Sequence, residues 1–238
     1  MTFDKVVSLS SERDTLTMHP LHAATFHIPD MAAGLCFYRD VLGYRPQSES
    51  TVSDALAGSW HAEKLAGAIS VLMEPEAGSA GGHIRLIESP DAISCTPFQH
   101  YGWCGVEFAV QDNLTLAQHL KEAGCDILME PMPPYRPMAA AGVFGEGLLF
   151  NEPQEKNPFH YTVIDTKSPV DQIAIVVLAC RDRTLSEDFY GQLLGAKPGH
   201  RAEMPLPFAN KAMGLSEETI YQTGAMRVGR TPFIEIDQ

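Results

Sequence analysis

DMAAGLCFYRDVLG at residues 30–43 and DRTLSEDFYGQLLG at residues 182–195 are two copies of one pattern: an Asp, six residues, Phe-Tyr, three residues and Leu-Gly. The first copy spaces its apolar residues by four, three and four positions, at Met31, Leu35, Tyr38 and Leu42. This spacing puts them on one face of a helix. Asp30 is placed to cap the start of that helix, and Gly43 to end it in the left-handed conformation. Each copy therefore predicts a capped helix of about three turns.

Strand-like runs surround both helices in the same order, one before the helix and three after it. Around the first copy they lie at residues 23–29, 44–50, 68–75 and 83–89. Around the second copy they lie at residues 172–179, 196–204, 219–223 and 232–237. A less similar unit between the two has strand-like runs at 103–110, 127–130, 138–144 and 147–151 and a helical pattern at 113–124. The chain therefore predicts three successive βαβββ units.

A repeated βαβββ unit whose helix carries FYxxxLG resembles the module of the vicinal-oxygen-chelate superfamily, which includes glyoxalases, bleomycin-resistance proteins and extradiol dioxygenases. The resemblance covers nearly the whole chain after Leu21. It implies an α+β fold in which tandem modules pair into cup-shaped, curved mixed sheets that hold ligand and metal. PMAAAGVFGEGLLF at 137–150 and FIEIDQ at 233–238 resemble more narrowly a set of glyoxalase/dioxygenase-like proteins that continue into a fourth module.

The repeat divides the chain into three segments. Residues 1–20 are an N-terminal extension, and residues 21–165 hold modules one (21–89) and two (100–156) as a pair. Residues 166–238 form module three, which lacks a fourth partner in this sequence. Because an unpaired module leaves a cup half-built, its exposed face is expected to be covered by a partner subunit or a further module. We therefore predict a homodimer.

The composition narrows the classes of partner. The net charge of -13 and the pI near 5.0 repel polyanions, and no basic stripe interleaved with aromatic residues offsets them. No run approaches the roughly 18 apolar residues of a membrane span, and residues 1–20 lack the apolar core of a signal peptide. Nucleic acid and membrane are therefore excluded as expected partners, and a cytoplasmic protein that acts on a small molecule is predicted.

The resemblance implies a metal ion held by one residue of the first strand and one of the last strand of each paired module. Imidazole and carboxylate ligands suit Fe, Mn, Zn or Ni. The first-strand position lies seven residues before the capping Asp, where this chain has residues without metal-binding side chains: Ala23, Gly105 and Ile175. His22 is one residue off, so strand alternation directs it away from the cup unless a bulge intervenes. On the last strands Glu88 matches well, Asn151 with Glu152 beside it is the module-two equivalent, and Glu235 fits in module three. His22 and Glu88 are the candidate ligands of a site that we expect to be degenerate.

Two polar side chains are predicted to face the cup as acid–base groups. Strand alternation puts His27, together with Thr25, on the cup side of the first strand and Glu107 on that side of module two. A carboxylate inside WCGVEFAV must be paired or have a raised pKa, and both conditions are common at functional sites. The alternatives are a satisfied interior histidine and an ion pair of Glu107 with Arg85 or Arg136. The predicted ligand-binding residues are Thr25, Trp60, His61, Tyr135, Arg136 and Met138.

Three functions fit these features. The first is a metal-dependent lyase or extradiol-type dioxygenase that acts on adjacent oxygens. The second is a metal-free binding or resistance protein with an apolar cup. The third is a metal-free enzyme in which Glu107 or His27 is the general base. The missing ligands favour the second and third, so the sequence predicts a glyoxalase/dioxygenase-like protein that binds a small oxygenated organic molecule between modules.

Overall fold

The computed structural model describes residues 20–89, 91–133, 137–153, 166–229 and 231–238, and these form three βαβββ modules. Module one contains β1 Ala23–Ile28, α1 Met31–Leu35 continued by a π-helix Cys36–Val41, β2 Tyr44–Thr51, α2 Asp54–Ser59, a 3-10 turn Glu63–Leu65, β3 Ile69–Pro75 and β4 His83–Glu88. Module two contains β5 Gly102–Val110, α3 Asn113–Glu122, β6 Ile127–Met129, β7 Met138–Ala141 and β8 Gly147–Asn151. Module three contains β9 Val170–Ala179, α4 Arg183–Leu194, β10 Lys197–Pro205, α5 Pro207–Met213, β11 Ile220–Val228 and β12 Thr231–Asp237. The predicted α+β fold and its element order are confirmed. The inserted helices α2 and α5 were not predicted, because each is only two turns long or less.

The helix caps are those that the repeat predicts. The side chains of Asp30, Asp112 and Asp182 each accept a hydrogen bond from a backbone N–H in the first turn, at 3.1, 3.1 and 2.9 Å. Gly43 and Gly195 follow their helices with φ of 75° and 66°, a conformation that glycine adopts without steric cost. These contacts satisfy backbone groups that a helix end otherwise leaves without a partner.

The first helix departs from a regular α-helix at its second half. Residues Cys36–Val41 form a π-helix, in which the Leu42 N–H donates to the Phe37 carbonyl at 3.2 Å. The wider turn lets the neighbouring Phe37 and Tyr38 rings both enter the core. The apolar spacing that predicted a single regular helix is therefore also compatible with this local bulge.

Hydrogen bonds divide the strands into two sheets. Module one forms a four-stranded sheet in the order β1-β4-β3-β2, and modules two and three share an eight-stranded sheet in the order β10-β11-β12-β9-β5-β8-β7-β6. The two halves of the larger sheet join where β5 pairs antiparallel with β9, with Val106 opposite Val176. Among the described strands, the predicted pair of modules one and two shares no hydrogen-bonded sheet.

Module one packs on modules two and three through a shared apolar core rather than by strand pairing. The Tyr44 ring lies edge-on to Phe108, and its hydroxyl donates to the Asp171 carbonyl at 2.6 Å. Phe37 and Tyr38 belong to the same apolar cluster as Phe108. This packing leaves β1 as the edge strand of its sheet, beside the larger sheet. None of the helices in the described ranges is long and apolar enough to span a bilayer.

Candidate functional site

A cleft of about 610 Å³ lies between module one and the large sheet. Its walls are the edge strand β1, the connection at residues 93–100, the first residues of β5, β8 and β12, and the C-terminal half of α4. This volume lies within the range of small-molecule sites, about 300 to 1,000 Å³. The cleft is therefore the candidate ligand site.

His27 and Thr25 line this cleft and are exposed to solvent in it. Phe26, which lies between them, also lines the cleft and stacks on Tyr38 at 5.8 Å between ring centroids, whereas Ile28 is buried in the core. Thr25 and His27 are the exposed residues of this stretch, which agrees with the shared strand face predicted for side chains two positions apart. An imidazole and a hydroxyl, both able to donate and accept hydrogen bonds, thus face one cavity.

Glu107 lies elsewhere, inside the large sheet. It is 2% exposed and is not part of the lining of the cleft. Burial raises its pKa to about 8, although a hydrogen bond with Asn151 lowers it in part. Arg85, one of its predicted partners, lies over the Trp60 ring at 5.7 Å instead. The two predicted acid–base groups, Glu107 and His27, are therefore not brought into one site.

The concave face of the large sheet is filled by protein side chains near Gly105. The Phe98 ring lies so close to Gly105 and Gly147 that a Cβ at either position would approach it to 2.9 or 2.6 Å. Phe208 packs edge-on against the Phe98 ring, with centroids 4.8 Å apart. Gly105 occupies the first-strand position at which the superfamily resemblance implied a metal ligand. In this chain the Phe98 ring fills the space beside that position, where a ligand side chain would otherwise lie.

The other predicted binding residues that the structure describes do not line the cleft. Met138 is fully buried in the core against the helices, so it does not lie at a cavity mouth. Trp60 packs in the small cluster under α2, and His61 follows it with φ of 53° and is exposed. Tyr135 and Arg136 lie outside the described residues.

The proposed metal ligand Glu88 has a structural partner. Its Oε1 accepts a hydrogen bond from the Met31 N–H at 3.0 Å, at the start of α1. The same contact recurs in the other modules, where Glu152 accepts from Asn113 at 2.8 Å and Gln238 accepts from Arg183 at 2.8 Å. Because a glutamine serves equally well in module three, the position requires a hydrogen-bond acceptor and not a negative charge.

The described residues do not fit a metal centre. They contain no cluster of three or more His, Cys, Asp or Glu side chains placed to hold an ion. His22 is exposed, and its ring lies 5.6 Å from that of His83 between centroids. The first-strand residues Ala23 and Gly105 offer no donor atom, so Fe, Mn, Zn or Ni would have to find ligands other than those that the superfamily pattern provides.

Substitution of Glu88 tests its structural role. Glu88→Gln is expected to leave stability within about 0.5 kcal/mol, because the amide oxygen still accepts from Met31, whereas Glu88→Leu is expected to lose about 1 kcal/mol, as for other caps. Urea unfolding measures the stability of both variants. Elemental analysis of protein purified without chelator measures how much metal each of them binds. An equivalent of bound metal that disappears in Glu88→Gln would identify the residue as a ligand instead.

Sequence reasoning missed three residues that line the cleft. Glu146 accepts hydrogen bonds from the Tyr38 hydroxyl at 3.1 Å and from the Phe144 N–H at 2.8 Å, and burial raises its pKa. Trp103 and Tyr190 form an aromatic wall, with ring centroids 5.6 Å apart. They come from different modules, so no local pattern marks them as neighbours.

Comparisons with solved structures find the same fold. Glyoxalase I from Zea mays matches with a TM-score of 0.60 and 16% identity, over 92% of this chain and 66% of that one. A Bacillus subtilis protein regarded as a dioxygenase matches with a TM-score of 0.57 and 14% identity, over 91% of this chain and 62% of that one. This chain thus spans about two thirds of the length of these structures, and identities this low show the fold alone. Among curated proteins, none matches the sequence.

The family model of the glyoxalase, bleomycin resistance protein and dioxygenase superfamily matches residues 20–154. This range covers more than half of the chain, including modules one and two and the β1 side of the cleft. The vicinal-oxygen-chelate resemblance seen in the repeat is thereby confirmed. The chain belongs to the glyoxalase/bleomycin resistance protein/dioxygenase superfamily.

Proposed function

We propose that this protein binds a small oxygenated organic molecule in the cleft between module one and the large sheet. The observation that carries the proposal is the cleft itself, about 610 Å³, with His27 and Thr25 exposed on one wall. Trp103 and Tyr190 provide aromatic surface on the opposite wall. A largely apolar cavity with a few hydrogen-bonding groups is the usual form of a small-molecule site.

The lining favours an uncharged ligand. Among the described residues that line the cleft there is no Lys, Arg or Asp. The single carboxyl group, that of Glu146, already accepts hydrogen bonds from Tyr38 and Phe144. An anionic ligand would lose its hydration without gaining a cation in exchange, which is costly. A neutral molecule with hydroxyl or carbonyl oxygens can bind to His27 and Thr25 without that cost.

We propose further that binding needs no metal ion at the superfamily positions. Glu88 and Glu152 cap helices, and the first-strand positions carry no ligand atoms. His27 would then supply the polar contact to the ligand oxygen, and it can also accept a proton from a bound hydroxyl. Glu107 is too far inside the sheet to do so, since it is not part of the cleft. The homodimer and the cytoplasmic location stay predictions.

Fluorescence titration tests this function. In a Trp60→Phe background Trp103 is the reporter, and catechol and 1-phenylpropane-1,2-dione serve as neutral probes with adjacent oxygens. We expect saturable quenching without added metal, and His27→Ala is expected to weaken it on the order of 10-fold through loss of a hydrogen bond. His22→Ala is the matched control, because His22 is exposed but does not line the cleft. Equal binding by His27→Ala, or binding that appears only with Fe, Mn, Zn or Ni, would contradict the proposal.

A further inference from the structure

The connection between modules one and two inserts an aromatic side chain into the large sheet. Phe98 is the buried residue of the stretch 91–100. Its ring lies against Gly105 and Gly147, so close that a Cβ at either glycine would come within 3 Å of it, and edge-on to Phe208. Because a glycine lets another group approach the backbone closely, the two glycines and Phe208 form a slot for a flat ring. Phe98 fills this slot.

The backbone is strained at the residue that fills the slot. The Gln99 N–H donates to the Thr96 carbonyl at 3.4 Å, so residues 96–99 form a turn with Phe98 as its third residue. Phe98 has φ of 62°, a conformation that glycine or asparagine usually supplies in such turns and that is unfavourable for a bulky side chain. Packing of the ring keeps the turn in this conformation. Release of the ring from the slot would relieve the strain.

Few hydrogen bonds hold the turn in place. Among the described residues, no backbone hydrogen bond joins residues 96–100 to another part of the chain. The last such bond before the turn runs from the Cys95 N–H to the Phe144 carbonyl, at 3.2 Å. A segment with few hydrogen bonds opens at low cost in free energy. The turn can therefore move when a ligand competes with Phe98 for the slot.

The turn also separates two cavities. One is the candidate cleft, and the other is a cavity of about 300 Å³. The residues that line both are Phe98, Gln99, His100 and Cys104. The further walls of the smaller cavity include the apolar and aromatic side chains of Leu206, Phe208, Met213 and Tyr221. Movement of the Phe98 ring out of the slot would join the two cavities into one elongated site.

We propose that Phe98 is a gate that sets the length of the ligand that the cleft accepts. With the ring in the slot, the cleft takes a short molecule. Displacement of the ring admits a longer ligand, whose flat apolar group replaces the Phe98 ring against Phe208. This gate rests on the proposed function, because the oxygen atoms of the ligand are taken to bind at Thr25 and His27. The ligand class is then a neutral molecule with oxygen atoms at one end and an aromatic ring system at the other.

Two probes of different length test the gate. In the Trp60→Phe background, Trp103 fluorescence reports the binding of 1-phenylpropane-1,2-dione and of 1-(biphenyl-4-yl)propane-1,2-dione, which is longer by one ring. Phe98→Gly is expected to shift the ratio of the two affinities about 10-fold in favour of the longer probe, since that probe no longer has to displace a packed ring. An unchanged ratio would overturn the proposal.

The reactivity of Cys104 tests the opening of the gate without a ligand. Cys104 borders both cavities, and burial raises the pKa of its thiol to about 12, so the thiol reacts slowly while the ring fills the slot. Phe98→Gly is expected to speed its alkylation by iodoacetamide about 10-fold, as measured by mass spectrometry of the peptide. Cys125 is the internal control, because it is half-buried and lines neither cavity. Faster alkylation of both thiols would identify an unfolded variant.

Gly105→Ala displaces the ring from the opposite side and decides the question if Phe98→Gly does not fold. Its Cβ would lie 2.9 Å from the Phe98 ring, which has to move away. Alkylation of Cys104 is expected to become about 3-fold faster, again without a change at Cys125. A Cys104 rate that stays at the wild-type value in the folded variants would overturn the gate. Faster Cys104 alkylation in variants that bind neither probe would instead contradict the proposed function.

Discussion

The free energy of unfolding is expected to fall as the pH rises from 5 to 8, and Glu107→Gln is expected to remove a large part of that fall. Burial raises the pKa of Glu107 to about 8, from an ordinary value of 4.5. Between these two values the folded protein binds a proton that the unfolded chain has released. Stability from this group is therefore complete below about pH 4.5 and is lost as the pH approaches 8.

The size of the effect follows from the span between the two pKa values. Between the two pKa values, one such group changes the free energy of unfolding by about 1.4 kcal/mol per pH unit. The contribution of Glu107 is therefore at most about 5 kcal/mol. Water that enters the protein reduces the cost of burying the charged carboxylate. We therefore expect the free energy of unfolding of Glu107→Gln, relative to the wild type, to rise by roughly 2 kcal/mol between pH 5 and pH 8. Burial also raises the pKa of Glu235 and Asp237, and the charge of Glu107 raises that of Glu235 further, so a smaller fall of the same sign remains in the variant.

Urea unfolding at pH 5, 6, 7 and 8 measures this difference. Glu130→Gln is the control, since Glu130 is exposed and pairs with Lys121 at 2.8 Å on the surface. Its effect is expected to stay within about 0.5 kcal/mol at every pH. Parallel curves for the wild type and Glu107→Gln would mean that Glu107 titrates at the same pH in the folded and unfolded chains.

Gly145→Ala is expected to be the most damaging substitution of a single small residue in the cleft. Gly145 has φ of 89°, and a Cβ added there would lie 1.8 Å from the Cys95 carbonyl oxygen. That oxygen belongs to the backbone, so the connection that carries Phe98 must move as a unit. We expect a loss of about 3 kcal/mol or more in the free energy of unfolding, from backbone strain and lost packing together.

Gly124→Ala separates the two causes. Gly124 has a similar φ of 79°, but a Cβ there would meet nothing within 4 Å. It is expected to cost only about 1 kcal/mol, which is the price of the left-handed conformation for an L-residue. Thermal and urea unfolding of both variants give the comparison. Equal losses of stability in the two variants would show that the clash with the Cys95 carbonyl oxygen adds nothing to the effect of Gly145→Ala.

Most of the fold could be predicted from short-range patterns. The capping Asp, the FYxxxLG spacing and the strand runs depend on contacts between residues close in sequence, so the three modules appeared in the right order. The face of β1 that carries Thr25 and His27 was also predictable, because strand alternation is a local property. The π-helix at Cys36–Val41 was not, since its apolar spacing also suits a regular helix.

The site was only partly predictable, because its walls come from separate modules. His27 and Thr25 lie in the cleft as one face of one strand, but Trp103 and Tyr190 join them from modules two and three. Met138 was predicted to bind the ligand, and tertiary packing places it in the core. Glu88 matched a ligand position in sequence, whereas its geometry makes it a helix cap.

The modules, their caps and the faces of their strands are predictable from the amino-acid sequence, because they follow from interactions within a few residues. The pairing of β5 with β9 and the filling of the space beside Gly105 by Phe98 arise from tertiary packing. Each of these depends on which of several similar apolar surfaces pack together. Repeated modules present nearly equivalent surfaces, so the choice rests on shape and burial over the whole chain and not on a local pattern.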